Sequence, residues 1–293
     1  MDERSALSIV GELVEAAGDD CAVVDGHVVT TDMLHEETDF PAGTTRYTAG
    51  WRSVGASLSD VAAMGAEAVA ALAVYAAPAF DESELEAFVR GCLDVCESVG
   101  AEYVGGDLDA HAEFTVATTA LGRMGAQAPV LRSGASVGDA LCVTGTFGRS
   151  GAAIGLFEEG AVDRANELFR FPPRVVTGRA LAPHATAMMD SSDGLARSLH
   201  QLADASECGF AVEADAIPVD PAVDEVADDP AERHELAVHF GEDFELVFTV
   251  PTGRLPEVRE ASRVEVTRVG EVTEADAGVR LDGEPLPDRG YTH

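Results

Sequence analysis

The sequence predicts an α/β protein of two domains, and three observations predict it. Its 293 residues are about twice an ordinary domain, and 46% of them are hydrophobic, enough for two folded cores. Strand-like and helix-like stretches alternate along the chain, as in layered α/β and α+β folds. A turn-rich, apolar-poor run, "GAQAPVLRSGASVGD" at residues 125–139, interrupts the alternation and places domains at 1–128 and 129–293.

Each element has its own signal. "CAVV", the turn Asp25-Gly26 and "HVVTTD" read as a hairpin. Trp51 to Met64 read as a helix, with Val54, Leu58 and Val61 at helical spacing and Gly65 as the stop. "AVAALAVYAA" reads as a buried strand: the apolar run from Ala68 is too short to span a bilayer and is followed by Pro78. "DESELEAFVRGCLDVCESVG" opens on the box-like pair Asp81 and Glu84 and closes at Gly100, so it reads as a helix. "EYVGGD" and "EFTVATTALGRM" complete the first domain as strands. Beyond the boundary, "ALCVTGT", "AMMD", "FAVEAD" and "FELVFTV" read as strands. "GLARSLHQLADASECG" reads as a helix, and "DPAVDEVADDPAERHE" as an acidic loop with a short helix.

Charge excludes several functions. The chain carries 53 acidic and 19 basic residues, a net charge of −34, and every basic residue is Arg. Nucleic acid and anionic membranes are poor partners, because the cationic surface they require is missing. Such acidity resembles that of proteins from salt-loaded cytoplasm, where screening limits self-repulsion. The opening "MDERSALSIV" lacks a basic region followed by a long apolar one, so no export signal is expected. Five cysteines without metal-type pairing fit a reducing cytoplasm, with Cys92 and Cys96 expected as buried small hydrophobes.

With so many acids, only their settings discriminate. Asp19 and Asp20 stand immediately before a strand, and Thr30, Thr31 and Asp32 end its hairpin partner. Asp60 sits on a helix between apolar neighbours, Asp107 follows two glycines at a strand end, and Asp190 and Asp193 lie at a strand-to-helix junction. Any one of these suits a cap, a turn or a solvated acid. Together, strand ends and small-residue settings favour a divalent-cation site. Without Lys there is no Walker-type phosphate loop and no Schiff base; no G-x-S-x-G elbow occurs, and "HEETD" lacks the second His of a zincin helix. A many-carboxylate site without a nucleophile suits Mg²⁺-assisted phosphoryl transfer.

The segments "GDDCAVV", "TTDML", "SLSDVAAMGA", "YVGGD", "LRSGASVGDALCVTG", "DSSDGL" and "GEDFEL" occur in the order and at about the spacing of the thiamine-monophosphate kinase family, which the chain resembles from about Gly18 to its end. The resemblance implies a PurM-like α/β (α+β) fold: an N-terminal domain whose sheet pairs across a homodimer, then a domain with a mostly open sheet. It implies transfer from ATP to thiamine monophosphate with several Mg²⁺ ions held by Asp20, Thr30, Thr31, Asp32, Asp60, Asp107, Asp190 and Asp193. Gly106, Asp107, Arg132 and Ser192 would contact ATP, with Arg132 also stabilising charge. Glu242 would contact the thiamine part. Asp39 replaces a substrate-contacting His of many relatives, and an acid there suits a cationic thiazolium. The aromatic that many relatives carry before the final "GY" is replaced by "PDR", with Tyr291 close by. The alternatives are another ATP-using enzyme of the superfamily, such as one like aminoimidazole ribonucleotide synthetase, and a non-catalytic nucleotide-binding dimer.

The net charge generates a first prediction. Screening reaches about 3 Å at 1 M salt but about 30 Å at 0.01 M, so the melting temperature is expected to fall on dilution of salt. Thermal scans from molar to millimolar KCl check this, and an unchanged midpoint would remove the salt-adapted reading.

Overall fold

A computed structural model describes residues 9–11, 13–14 and 16–291. The export-signal reading rests on the first ten residues, of which 1–8 lie outside that range. Two mixed sheets form the architecture, as the α/β expectation required.

The first sheet has the order β1-β2-β5-β3-β4. β1 (Ala22–Val24) and β2 (His27–His35) form the expected hairpin, whose turn places Asp25 and Gly26 at positive φ. A helical turn α1 (Glu36–Asp39) leads to α2 (Arg46–Ala63), β3 (Glu67–Ala77), α3 (Glu82–Val99), β4 (Glu102–Ala110) and β5 (Thr115–Arg123). α2 starts earlier than apolar spacing indicates, because Thr45 caps it by accepting from the Thr48 amide. α3 is bounded as expected: the Asp81 carboxylate accepts from the Ser83 and Glu84 amides, and left-handed Gly100 ends it. β3 pairs antiparallel with β5 and parallel with β4.

The second sheet has the order β12-β11-β8-β10-β6-β9-β7. Its chain order is β6 (Asp139–Thr144), α4 (Arg149–Glu158), α5 (Val162–Phe169), α6 (Val175–Leu181), β7 (Ala187–Asp190), α7 (Leu195–Ser206), β8 (Gly209–Val212), α8 (Val223–Val226), α9 (Pro230–Val238), β9 (Leu246–Pro251), α10 (Leu255–Ala261), β10 (Val266–Thr273), β11 (Val279–Leu281) and β12 (Glu284–Pro285). The acidic loop contains two short helices rather than one. α9 is set by its Asp229 cap and by Pro230 at the first helical position.

α2 connects the halves. It packs on β2, β3 and β5 of the first sheet and on α6 and β7 of the second part. One apolar cluster accordingly runs from Val28, Leu58 and Val61 to Met188, Leu246 and Phe248. Cys92 and Cys96 are buried in it, as expected. α2 and α3 approach so closely that a Cβ on Gly91 would lie 2.1 Å from the Tyr47 carbonyl oxygen, and one on Gly50 would lie 2.2 Å from that of Phe88. Both obstacles are main chain of a packed helix, so neither can yield locally. Gly91→Ala is expected to destabilise the fold by about 1–3 kcal/mol through overpacking. Gly253→Ala, where an added Cβ meets nothing within 4 Å, serves as the control. Equal denaturation midpoints for the two variants would contradict this packing.

Candidate active site

Three acids from three elements meet beside α2. Asp20 stands just before β1, Asp60 lies in the last turns of α2, and Asp190 ends β7. Each offers a carboxylate oxygen within 4.8 Å of the others; Asp20 and Asp190 are buried and Asp60 partly exposed. β2 adds neighbours through its period of two: Thr30 and Asp32 share a face. Thr30 donates to Asp60 Oδ2 at 2.5 Å, and Asp32 Oδ2 accepts from Ser57 at 2.5 Å. Arg132, from the connection between the sheets, donates from Nη2 to Asp20 Oδ1 at 2.8 Å, and its amide donates to Asp19 at 2.6 Å.

This much negative charge out of water is costly. Burial, then the charges of Asp32, Asp190 and Asp20, holds the Asp60 carboxyl well above its usual range. Burial and Asp20 push Asp190 up to about 8. Arg132 responds oppositely: burial opposes its charge, but Asp20, Asp190 and Asp60 together hold the guanidinium above its ordinary value. Asp20 Oδ2 and Asp190 Oδ2 are buried and have no hydrogen-bond partner among the described residues. Orphaned hard oxygens converging in this way fit a Mg²⁺ or a similar hard cation.

Two residues expected in the cation site lie elsewhere. The same alternation that brings Thr30 and Asp32 together turns Thr31 to the exposed face, where its hydroxyl donates to the Thr118 carbonyl at 2.7 Å. Asp107 lies on β4, three strand positions from β2 and so roughly 14 Å away at normal strand spacing. It is exposed, and its Oδ1 accepts from the Leu108 amide at 2.9 Å. Gly106 beside it has no room for a side chain, since a Cβ would fall 1.6 Å from the Ala73 carbonyl oxygen. With Tyr75, Leu85, Phe88, Val89 and Tyr103 these two line an apolar cavity of about 460 Å³. One copy of the chain thus separates the Gly106–Asp107 pair from the acid cluster.

Asp39 and Glu242, distant in sequence, line one cavity of about 370 Å³. Phe40, Phe157, Phe169, Phe240 and Tyr291 supply its rings, and Glu37 and Glu158 add further acids. Rings with acids suit a cationic aromatic ligand. Asp39 is buried and accepts from the His35 amide at 2.7 Å and the Thr38 hydroxyl at 2.8 Å. Tyr291 donates to the Thr38 carbonyl at 2.8 Å, closing the C-terminal segment over the first domain.

The segment carrying Glu242 is strained and anchored. Glu242 and Phe244 have φ of 61° and 53°, left-handed conformations that cost non-glycine residues about 1–3 kcal/mol each. Asp243 holds the first turn of α4 through the Gly148 and Ser150 amides, at 2.6 and 3.0 Å. Glu245 pairs with Arg174 and accepts from Thr144 at 2.6 Å. The turn carrying Ser192 and Asp193 is joined to it: the Glu242 amide donates to the Ser192 carbonyl at 2.5 Å, and the Phe244 amide to that of Ser191 at 3.0 Å.

Sequence reasoning missed Ser57, which donates to Asp32, and Thr118, whose hydroxyl bonds that of Ser57 at 2.7 Å, and also Arg52, Ser150, Phe169 and Phe240. Arg52 alone left a signal: in the small and apolar stretch of α2 after its first turn it is the one cation, so it required a buried partner.

Residues 18–124 match the AIR synthase related protein N-terminal domain, and residues 136–282 its C-terminal domain. The chain is 62% identical to the thiamine-monophosphate kinase of Halobacterium salinarum over 100% of both chains. The crystal structure of thiamine-monophosphate kinase from Stenotrophomonas maltophilia has a TM-score of 0.82 at 30% identity, covering 91% of this chain and 90% of the other. A structure of AaThiL complexed with AMPPCP and TMP has a TM-score of 0.87 at 26% identity, covering 100% and 97%. With its two domain matches and a relative this similar over its full length, the chain belongs to the thiamine-monophosphate kinase family.

Proposed function

We propose that this chain transfers the terminal phosphoryl group of ATP to thiamine monophosphate, giving thiamine diphosphate and ADP, the last step of thiamine diphosphate biosynthesis. One observation carries the reading. The turn after Asp190 and the turn bearing Glu242 are hydrogen-bonded to each other, so a site for phosphate-bound cations abuts a pocket for a cationic aromatic ring. Thiamine monophosphate has both ends.

The residues divide the work. Glu242 and Asp39 face the cationic thiazolium, while Phe240 and Tyr291 flank the rings. Asp20, Asp32, Asp60 and Asp190 would hold Mg²⁺, with Thr30 orienting Asp60 and Asp193 and Ser192 on the adjoining turn. When bound, Mg²⁺ neutralises the repulsion between two anionic phosphates. Arg132 adds a fixed positive charge beside Asp20. The acceptor is a phosphate monoester with a second pKa near 6, already a dianion at neutral pH, so it attacks without a general base.

Gly106 and Asp107, with the apolar cavity beside them, would take the nucleotide, and a homodimer reconciles their distance from the acids. By register, Thr31 and Asp107 lie on the outward face of the first sheet. That face also exposes Met33, Leu72 and Val104. A second copy covering it would bury these side chains and bring its own Asp107 toward the phosphates. We place the domain boundary after residue 128 and the working environment in a salt-rich cytoplasm. No helix among the described residues is long and apolar enough to cross a membrane.

The decisive assay is ADP release, expected to require both Mg²⁺ and thiamine monophosphate; release indifferent to thiamine monophosphate would sink the reading. Asp60→Asn is expected to lower turnover about a hundredfold or more at limiting Mg²⁺ while the protein stays folded. Turnover near that of the parent would remove Asp60 from the cation site. On acidification activity is expected to fall with an apparent pKa near or below about 6, as the acceptor gains a proton. Replacing His27, His35 and His184 one at a time should leave that profile in place. A folded histidine variant that binds both substrates but loses the chemical step would show that a general base exists.

A further inference from the structure

We propose that Arg52 is a positioning residue that holds the Glu242 carboxylate in the substrate pocket, an inference resting on the reading above in which Glu242 contacts thiamine monophosphate. Arg52 lies on α2 at 2% exposure and does not line the pocket. Its Nη2 donates to Glu242 Oε2 at 2.6 Å. Its Nη1 donates to the Phe169 carbonyl at 2.6 Å and to Ser150 Oγ at 3.2 Å. Ser150 in turn donates to the Glu242 carbonyl at 2.6 Å. One guanidinium therefore holds the acid directly and its main chain through one hydroxyl.

The aromatic setting extends this control to the pocket wall. The guanidinium carbon lies 3.5 Å from the centre of the Phe169 ring, and Phe169 itself lines the pocket. The rings of Phe171 and Phe244 stack at 4.1 Å and stand 5.3 and 5.8 Å from the same carbon. Glu242 and Phe244 occupy left-handed backbone, which persists only where surroundings over-determine it. Arg52 reaches this segment from a helix 190 residues earlier. A planar fork can hold a carboxylate oxygen and a carbonyl at once while stacking on a ring; an ammonium in its place keeps only the charge.

A residue serving the fold alone would lower stability without discriminating between ligands. A positioning residue weakens the ligand that Glu242 faces and spares the other. The test is calorimetric titration of thiamine monophosphate and, separately, of Mg²⁺-ATP into folded wild type, Arg52→Met, Arg52→Lys, Glu242→Gln and the Arg52→Met/Glu242→Gln pair. Arg52→Met is expected to weaken thiamine monophosphate binding by about tenfold or more and to leave ATP binding unchanged, since unpairing a buried charge penalises the site it served. Arg52→Lys recovers part of the loss. The double variant binds no worse than Glu242→Gln alone, because the two act as one unit. If Arg52→Met does not fold, the same cycle is run with Arg52→Lys. Wild-type affinity for thiamine monophosphate in the Arg52 variant, equal weakening of both ligands, or additive losses would overturn the proposal. Wild type that binds thiamine monophosphate without turning it over fails the kinase reading and leaves this test intact, whereas wild type that does not bind it overturns both.

Discussion

Everything at the proposed site answers to one constraint: negative charge collected where water is scarce. Asp20, Asp60 and Asp190 present oxygens within 4.8 Å of one another, and two of those carboxylates are buried. Such an arrangement opposes folding unless cations balance it. Arg132 offsets part through Asp20, and hydroxyls of Thr30 and Ser57 satisfy oxygens of Asp60 and Asp32. Asp20 adjoins the buried Cys21 just before β1, and Asp60 and Asp190 lie on α2 and β7; Cys21 and residues of α2 and β7 belong to one apolar cluster spanning both sheets. Burial by the core creates the electrostatic penalty, and the penalty creates affinity for divalent cations.

The second sheet contributes mainly through one strained segment. Glu242, Asp243 and Glu245 each secure a different neighbour: α2 through Arg52, the start of α4, and Arg174. Two left-handed residues within it are tolerated because those anchors leave no other path. The segment also fixes the spacing between the pocket and the acids, since its amides bind the turn after β7.

Much of this was legible in the sequence, and the failures have physical causes. The hairpin, α3 and the strands of the first sheet were readable because caps, turns and periodicity agree there. β10 escaped because a register shift between Arg268 and Gly270 breaks its alternation, and β11 and β12 are too short to show a period. Acids at strand ends pointed to the cluster, but Thr31 follows Thr30 directly on a strand, so alternation already placed it on the other face. The link from Arg52 to Glu242 was not legible, because nothing local records a partner 190 residues away. The separation of Asp107 from the acids is set by strand order, which no single segment encodes.

The dependence of this site on cations is tested most directly by thermal unfolding at constant molar KCl, with and without millimolar Mg²⁺, in wild type and Asp190→Asn. Removing one charge from the cluster relieves repulsion in the metal-free protein but also removes a ligand. The account therefore predicts that Asp190→Asn melts higher than wild type without Mg²⁺ and gains much less when Mg²⁺ is added. An Asp190→Asn protein that melts lower than wild type without Mg²⁺, yet gains as much from it, would contradict the account.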